Sequence, residues 1–314
     1  MIRSATFLGL TYAILNVLIE CVQFVYFGNL FQRIDPILFG FLVFGLACIT
    51  LIAWTAWRSP EQLAAALAQP RNLIAVNLGA LVTFTCFLIS VQLIEPAITY
   101  TVSAGSMPLA AFALRWFGMS EAQAMRNRTE TLGLILLTAA ITFLAVATIT
   151  GYTGFARGGM LATFIGILFA VMDGVFFTLI LIYSHRLNAA GVGPAAVLGL
   201  RMPFFVIATG AFSTTVTHTM ALSETILYGI AGFALTIPPL YLLQKAVPLI
   251  STLALSVVFA FGPFAVFALQ MIEGRVNFAT ATLIGLSIYS CGALFSAIGA
   301  ISASRREKRA AATA

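Results

Sequence analysis

Charged side chains are scarce in this sequence. Asp, Glu, Lys and Arg make up only 8% of its 314 residues, whereas 61% are hydrophobic and the mean hydropathy is +1.04. Soluble domains carry about 25% charged residues, because water must wet their surface. The composition therefore excludes a soluble globular protein. We expect an all-α integral membrane protein whose helices face lipid.

Residues that several enzyme classes need are also rare. The only lysines are Lys245 and Lys308, and no phosphate-binding GxxxxGK[ST] loop occurs, so direct use of ATP is excluded. The two histidines, His185 and His218, form no HExxH zinc motif. The four cysteines lie in apolar runs without the paired spacing of disulfide or zinc sites. We expect no enzyme activity, no cofactor and no metal.

Apolar runs divide the chain into ten predicted membrane spans. They lie near residues 5–27, 37–57, 72–94, 97–117, 131–150, 160–183, 195–217, 225–244, 248–272 and 278–302. An even number of spans places both termini on one side, and most of the 16 Lys and Arg residues fall there. By the positive-inside rule both termini are predicted to be cytoplasmic, in a bacterial inner membrane. The basic tail, residues 304–314, suits anionic lipid headgroups. Because the sorting of Lys and Arg to one side and this tail account for most of the net charge of +6, we expect no nucleic-acid partner.

The two halves of the chain share sequence motifs. PLAAFAL begins at Pro108 in the fourth span, and PFAVFAL begins at Pro263 in the ninth. In the first and sixth spans Glu20 matches Asp173. Two further matched pairs follow the motifs, Glu121 with Glu273 and Gly133 with Gly285. The sequence thus predicts two five-helix repeats, residues 1–151 and 158–303. Because five is odd, the second repeat is inverted, as in alternating-access carriers.

This repeat resembles the EamA-like half of the drug/metabolite transporter superfamily. The resemblance rests on the proline near the middle of the fourth and ninth spans, the acidic residue after each, and the glycine that opens the next span. It implies ten transmembrane helices as two inverted five-helix repeats, and it favours export of a metabolite. It also implies that Pro108 and Pro263 lie beside a central cavity.

Glu20 and Asp173 are ionisable residues placed deep in predicted spans. At 1.5 Å per residue, Glu20 lies about 22 Å from the cytoplasmic end of its span, and Asp173 about 20 Å from the periplasmic end. Such groups are costly in lipid and usually functional. On the first span, Tyr12, Asn16, Glu20 and Gln23 share one helical face. We predict that the two acids couple proton movement to transport or bind a cationic substrate. The alternative is a permanently protonated acid that hydrogen-bonds between helices.

Other polar residues and prolines are weaker candidates. Arg201 enters the seventh span, where it either snorkels to the headgroups or faces inward to bind a substrate carboxylate. Pro238 and Pro239 remove two backbone donors from the eighth span, which predicts a cavity wall or hinge. Glu95 and Lys245 are expected to anchor tight connections at the membrane interface. The remaining cavity-lining candidates are Tyr100, Ser103, Tyr241, Gln244 and Ser256.

Together these features predict a secondary carrier of a small metabolite, with proton exchange as its drive and substrate and lipid bilayer as its partners. Two buried acids and one cation favour a zwitterionic or amine-bearing cargo, such as an amino acid, a derivative of one, or an opine-like metallophore. The alternative is a broad exporter of lipophilic cations, since 27 Phe and 9 Met residues could line an adaptable pocket. A membrane scaffold and an intramembrane protease are rivals from other classes. The oligomeric state is left open.

Overall fold

The chain is described by a computed structural model over residues 2–119, 127–213, 222–246, 249 and 252–313. All ten predicted spans coincide with helices in these ranges, although the seventh consists of two helices and a short extra helix follows the second. The helices are α1 (Ile2–Leu30), α2 (Pro36–Arg58), α3 (Pro60–Leu67), α4 (Pro70–Leu93), α5 (Pro96–Trp116), α6 (Arg128–Ile149), α7 (Gly159–Ala189), α8 (Pro194–Leu200), α9 (Pro203–Ser213), α10 (Leu222–Ala246), α11 (Thr252–Glu273) and α12 (Thr280–Thr313).

Most of these helices can cross a membrane. Within the described ranges, nine helical segments are long and apolar enough to do so, and α11 contributes a shorter apolar stretch, Val257–Glu273. Apart from one antiparallel bridge between Ile94 and Ala156, the same ranges contain no β-structure. The protein is therefore all-α, and its helices fit a multi-pass membrane protein.

Local sequence explains where several helices begin. Proline stands at the first position of α2, α3, α4, α5, α8 and α9, where its fixed φ and missing N–H suit the first turn. Asp35 caps α2 by accepting hydrogen bonds from the backbone N–H groups of Ile37 and Leu38 at 2.8 and 2.9 Å. Asn127 caps α6 in the same way through the N–H of Glu130. These signals produce sharp connections between successive helices.

Helices α6 and α12 pack backbone to backbone. A Cβ at Gly133 would lie 2.7 Å from the Cα of Ser296 and 2.8 Å from the carbonyl oxygen of Gly292, so only glycine fits. At the other end of the pair, Gly285 lies against the side chain of Leu144. The start of each helix thus meets the later part of the other, and the two run antiparallel. Small residues at the interface allow this approach.

Helices α5 and α11 also run antiparallel. Tyr100 lies against Gly262, and one turn earlier on α5 the N–H of Ala97 donates to Oε1 of Gln270 at 3.2 Å, which is later on α11. Contacts between α2 and the α8–α9 pair follow the same antiparallel order.

Four helices meet in the interior of the bundle. Helix α5 packs along α7 and along α11, and α1 packs along α11 and touches α5. On the outer sides of this group, α4 packs along α7 and α10 packs along α1. The interior group of α1, α5, α7 and α11 carries the predicted acids.

Candidate functional site

The contact between α5 and α7 holds Asp173 against Ser103. The Ser103 hydroxyl donates a hydrogen bond of 2.6 Å to Oδ2 of Asp173, and both residues are buried. The close approach depends on Gly174, where a Cβ would lie 3.0 Å from the carbonyl carbon of Ser103. One turn later the hydroxyl of Thr178 donates to the carbonyl oxygen of Met107 at 3.3 Å. Asp173 is therefore fixed in the interior.

Glu20, on α1, lies in the same region. Protein atoms surround its carboxyl group, yet the residue keeps accessible surface. Helix α1 touches α5 and packs along α11, which places Glu20 in the same interior group of helices as Tyr100 and Asp173. The neighbouring Cys21 donates a hydrogen bond of 3.5 Å from Sγ to the carbonyl oxygen of Gly262, which joins α1 to α11 at this level. We define the central polar cluster as Asn16, Glu20, Tyr100, Ser103 and Asp173.

Some polar atoms of the central polar cluster are buried without protein partners. Within the described ranges, neither amide atom of Asn16 nor the hydroxyl of Tyr100 makes a hydrogen bond of normal length, although the Asn16 amide lies close to the Glu20 carboxyl group. Asn16 is fully buried and Tyr100 is 4% exposed. A buried polar group left in this way costs about 1–3 kcal/mol. Asn16 and Tyr100 are therefore able to bind a ligand or water that reaches Glu20.

An aromatic row lines one side of the cluster. The ring of Phe24 packs edge to face against Tyr100 and against Phe87, with centroids 5.0 Å apart in both pairs. The Tyr100 ring covers Gly262, where a Cβ would lie 2.6 Å from Cζ of the tyrosine. The next residue, Pro263, is buried inside α11. Aromatic faces next to carboxyl groups attract cations.

The remaining residues predicted on α1 have other surroundings. Gln23 donates a hydrogen bond of 2.9 Å from Nε2 to Oγ1 of Thr236, which joins α1 to α10. This contact lies just before Pro238 and Pro239. Helix α10 continues through both prolines, and the cavity wall or hinge predicted there stays a prediction. Tyr12 is half-buried.

Three cavity-lining candidates lie elsewhere. Tyr241 is 40% exposed and packs against Lys245, with Nζ 5.5 Å from the ring centroid, so it faces outward. Gln244 is half-buried near the end of α10, and Pro108 is half-buried inside the continuous helix α5. The side chain of Ser256, like all of Glu121, lies outside the described residues.

Arg201 occupies a break in the seventh span, between α8 and α9. It is only 1% exposed, so the guanidinium does not reach the headgroups as the snorkelling interpretation requires. Its Cζ lies 5.7 Å from the centroid of Phe84 on α4. The seventh span predicted at 195–217 is present as an apolar segment, Pro194–Ser213, that is broken at Arg201.

Glu95, in the connection between α4 and α5, is buried, and its role in anchoring that connection at the membrane interface stays a prediction. It is 0% exposed and accepts hydrogen bonds from the side chain of Gln270, from the hydroxyl of Thr282 at 2.9 Å and from the N–H of Gly154 at 3.1 Å. Burial raises the pKa of Glu95, and these hydrogen bonds and nearby Arg275 offset part of the rise. The contacts tie α5 to α11, α12 and the α6–α7 connection.

Comparison with known proteins finds a solved structure that shares the fold of this chain. No protein-family model and no curated protein matches the chain. A solved crystal structure, described only as that of a protein, is similar over 97% of this chain and 99% of the other, with a TM-score of 0.63 and 17% sequence identity. At this identity the likeness shows a shared fold alone. That fold extends over nearly the whole of both chains.

Proposed function

We propose that this protein is a secondary active transporter of the bacterial inner membrane, with cytoplasmic termini, that exports a small amine-bearing or zwitterionic metabolite in exchange for protons. The observation that carries the proposal is the central polar cluster. Within it, Glu20 and Asp173 are carried by two of the four helices that meet in the interior of an apolar bundle. Ionisable groups inside membrane spans commonly mark ion or substrate pathways.

The chemistry of the cluster suits an ammonium group. Glu20 keeps accessible surface. The buried Asn16 lies one turn before it on α1, and the buried Tyr100 lies on α5, which α1 touches. A carboxylate and an aromatic face both stabilise a bound cation. Protons and a cationic substrate would compete for the same two carboxyl groups. Such competition couples the release of one to the binding of the other.

Helix packing supports an inverted duplication. The equivalent helices α6 and α12 run antiparallel, as do α5 and α11. Gly133 contacts Ser296, and Gly285 contacts Leu144. Gly285 is the counterpart of Gly133 in the second repeat, and Ser296 is the counterpart of Leu144, so both contacts join the same pair of repeat positions. The third helix of each proposed repeat packs along the first helix of the other, α4 along α7 and α10 along α1. Two inverted five-helix units are typical of alternating-access carriers. The EamA-like resemblance favours the same mechanism.

Export of lipophilic cations is the second candidate. The aromatic row of Phe24, Phe87 and Tyr100 beside Glu20 favours it, because a flat cation stacks on such rings. In both candidate functions the same carboxyl groups bind the cationic group of the substrate. The two functions differ in the rest of the substrate molecule.

Everted membrane vesicles test the proposal. Acidifying the vesicle interior should drive uptake of labelled amino acids, or of dye-like cations such as ethidium, in a direct competition screen. Glu20→Gln and Asp173→Asn keep the side-chain shape but remove the charge. Each should lower the transport rate by about tenfold or more, as expected for a residue that handles the coupling proton.

The matched control is Glu61→Gln, since Glu61 is exposed at the start of α3. It should leave transport unchanged. Correctly inserted Glu20→Gln and Asp173→Asn proteins that transport at the unaltered rate, with the same pH dependence, would refute the proposed role of the cluster. Absence of uptake for every amine and cation in the screen would count against the transporter itself.

A further inference from the structure

Packing contacts from a neighbouring helix stabilise a break in the seventh span. Helix α8 ends at Leu200 and α9 begins at Pro203. The side chain of Asn77, on α4, donates to the carbonyl oxygen of Leu200 at 2.7 Å and accepts from the N–H of Phe204 at 3.2 Å. Backbone groups freed by a break inside a membrane need such partners. Asn77 therefore stabilises the break. The equivalent helix of the proposed first repeat, α2, is continuous.

Arg201 stands in this break as a buried cation. Its exposed fraction is 1%. Among the residues that the structure describes, no group hydrogen-bonds to its Nε or Nη2, and no carboxylate forms an ion pair with it. A buried charge is strongly unfavourable unless it is paired and hydrogen-bonded. The guanidinium therefore carries two buried N–H donors, at Nε and Nη2, that no described residue satisfies.

One aromatic ring contacts Arg201, and two more pack on that ring. Phe84 lies under the guanidinium and stacks on Phe44 with centroids 4.2 Å apart. Phe205, in the first turn of α9, packs edge to face on both rings at 5.0 and 5.8 Å. A cation–π contact offsets part of the cost of burying the charge, but it leaves the N–H donors unsatisfied. This aromatic cluster suits a ligand whose apolar part is attached to an anionic group.

We infer that Arg201 binds the carboxylate group of an apolar organic acid in the break of the seventh span. The planar guanidinium matches a carboxylate through two parallel hydrogen bonds, and such charge-assisted pairs are stronger than hydrogen bonds between neutral groups. The phenylalanine rings receive the apolar part of the ligand. Inorganic phosphate suits the site poorly, because its hydrated oxygens would face aromatic carbon.

The site also has a connection to the central polar cluster. Phe84 and Phe87 lie one turn apart on α4, and Phe87 contacts Phe24, which contacts Tyr100. Ring contacts thus lead from Phe87 to Tyr100 in the central polar cluster, and Phe84, which Arg201 contacts, lies one turn before Phe87 on the same helix. If the bound acid is the cargo, the cargo is an amino acid or derivative with an apolar side chain; that last step rests on the proposed function, whereas carboxylate binding at Arg201 does not.

Equilibrium binding tests the inference on the full-length protein purified in detergent. The probe is sodium benzoate, compared with sodium chloride at equal ionic strength and with neutral benzamide at equal concentration. Benzoate should raise the melting temperature saturably, by about 2–4 °C at roughly tenfold excess over its Kd. Arg201→Met should abolish the shift, and Arg201→Lys should reduce it by lowering affinity about tenfold, because the ammonium lacks the fork. Arg33→Met, at the exposed turn after α1, should keep it.

Each outcome decides the inference. A saturable benzoate shift that Arg201→Met removes and Arg33→Met retains supports it. Equal shifts with benzoate and benzamide, a shift with inorganic phosphate but not benzoate, or a shift that survives Arg201→Met would overturn it. Arg201→Met removes a buried charge into an apolar setting, so it should fold, and a cooperative melt without ligand verifies that. Binding without uptake in vesicles would sink the proposed transport function and leave the carboxylate site standing.

Discussion

Gly174→Ala probes the contact on which the Asp173 site depends. The added methyl group would lie 2.8 Å from Cβ of Ser106 and 3.0 Å from the carbonyl carbon of Ser103. Both distances are below van der Waals contact, and the second involves backbone that cannot rotate away. Helices α5 and α7 must therefore separate by about 1 Å.

The structure sets the size of the effect. A separation of about 1 Å would stretch the Ser103 to Asp173 hydrogen bond, now 2.6 Å, beyond the limit for such a bond. Overpacking costs about 1–3 kcal/mol and loss of the bond about 1 kcal/mol, while alanine in place of glycine returns about 1 kcal/mol of helix propensity. The expected balance is a loss of about 2 kcal/mol.

Thermal melting in detergent, followed by transport in vesicles, measures this change. A loss of that size lowers the melting temperature by about 4–8 °C, and transport should weaken because Asp173 loses its orienting partner. Gly45→Ala is the matched control. Gly45 lies inside α2, and a Cβ there would meet Cγ1 of Val206 at an ordinary 3.8 Å, so the melting temperature should stay or rise. Equal stability and equal transport for the two alanine variants would refute the close α5–α7 packing.

Three further predictions follow from particular contacts. Tyr100→Phe removes a hydroxyl that lacks a partner within the described ranges. The free energy of unfolding without substrate should rise by about 1 kcal/mol, with a higher melting temperature, while KM for transport increases. A lower melting temperature would contradict this. Asn77→Ala should cost about 2–4 kcal/mol, since it leaves two backbone groups of the α8–α9 break unsatisfied, and a melting temperature within 1 °C of the unaltered protein, on the order of measurement error, would count against the bridge. Because burial raises the pKa of Glu95, folding favours its protonated form, so the melting temperature should fall as pH rises from the ordinary glutamate value of about 4.3 through the raised one. Glu95→Gln should flatten that decline, and an unchanged slope would show that other groups cause it.

The helices were predictable because lipid makes one demand on every span. A membrane span needs about 20 apolar residues, and proline or a capping side chain marks where a helix starts, so the ten runs and most boundaries agree with the structure. The match of Glu20 to Asp173 placed both acids deep in their spans, and the helices that carry them, α1 and α7, belong to the interior group. Each of these signals is local or repeated along the chain.

The features that the sequence did not predict depend on partners distant along the chain. The run around Arg201 is as apolar as a continuous span, and its break becomes visible only with Asn77 beside it, more than a hundred residues earlier. Pro203 is a local signal that could have raised the question. Glu95 stands at a helix start, and its burial depends on Gln270 and Thr282. Polar residues inside apolar runs, such as these two, were the available sign of a buried partner.

Proton movement in proteoliposomes tests the central claim most directly. Vesicles loaded with the pH-sensitive dye pyranine receive an outward or inward gradient of the substrate that the vesicle screen identifies. The unaltered protein and Glu61→Gln should move protons opposite to the substrate. Glu20→Gln and Asp173→Asn should lose that proton movement. Substrate flux with no proton movement in the unaltered protein, or undiminished proton movement in both acid variants, would contradict the account.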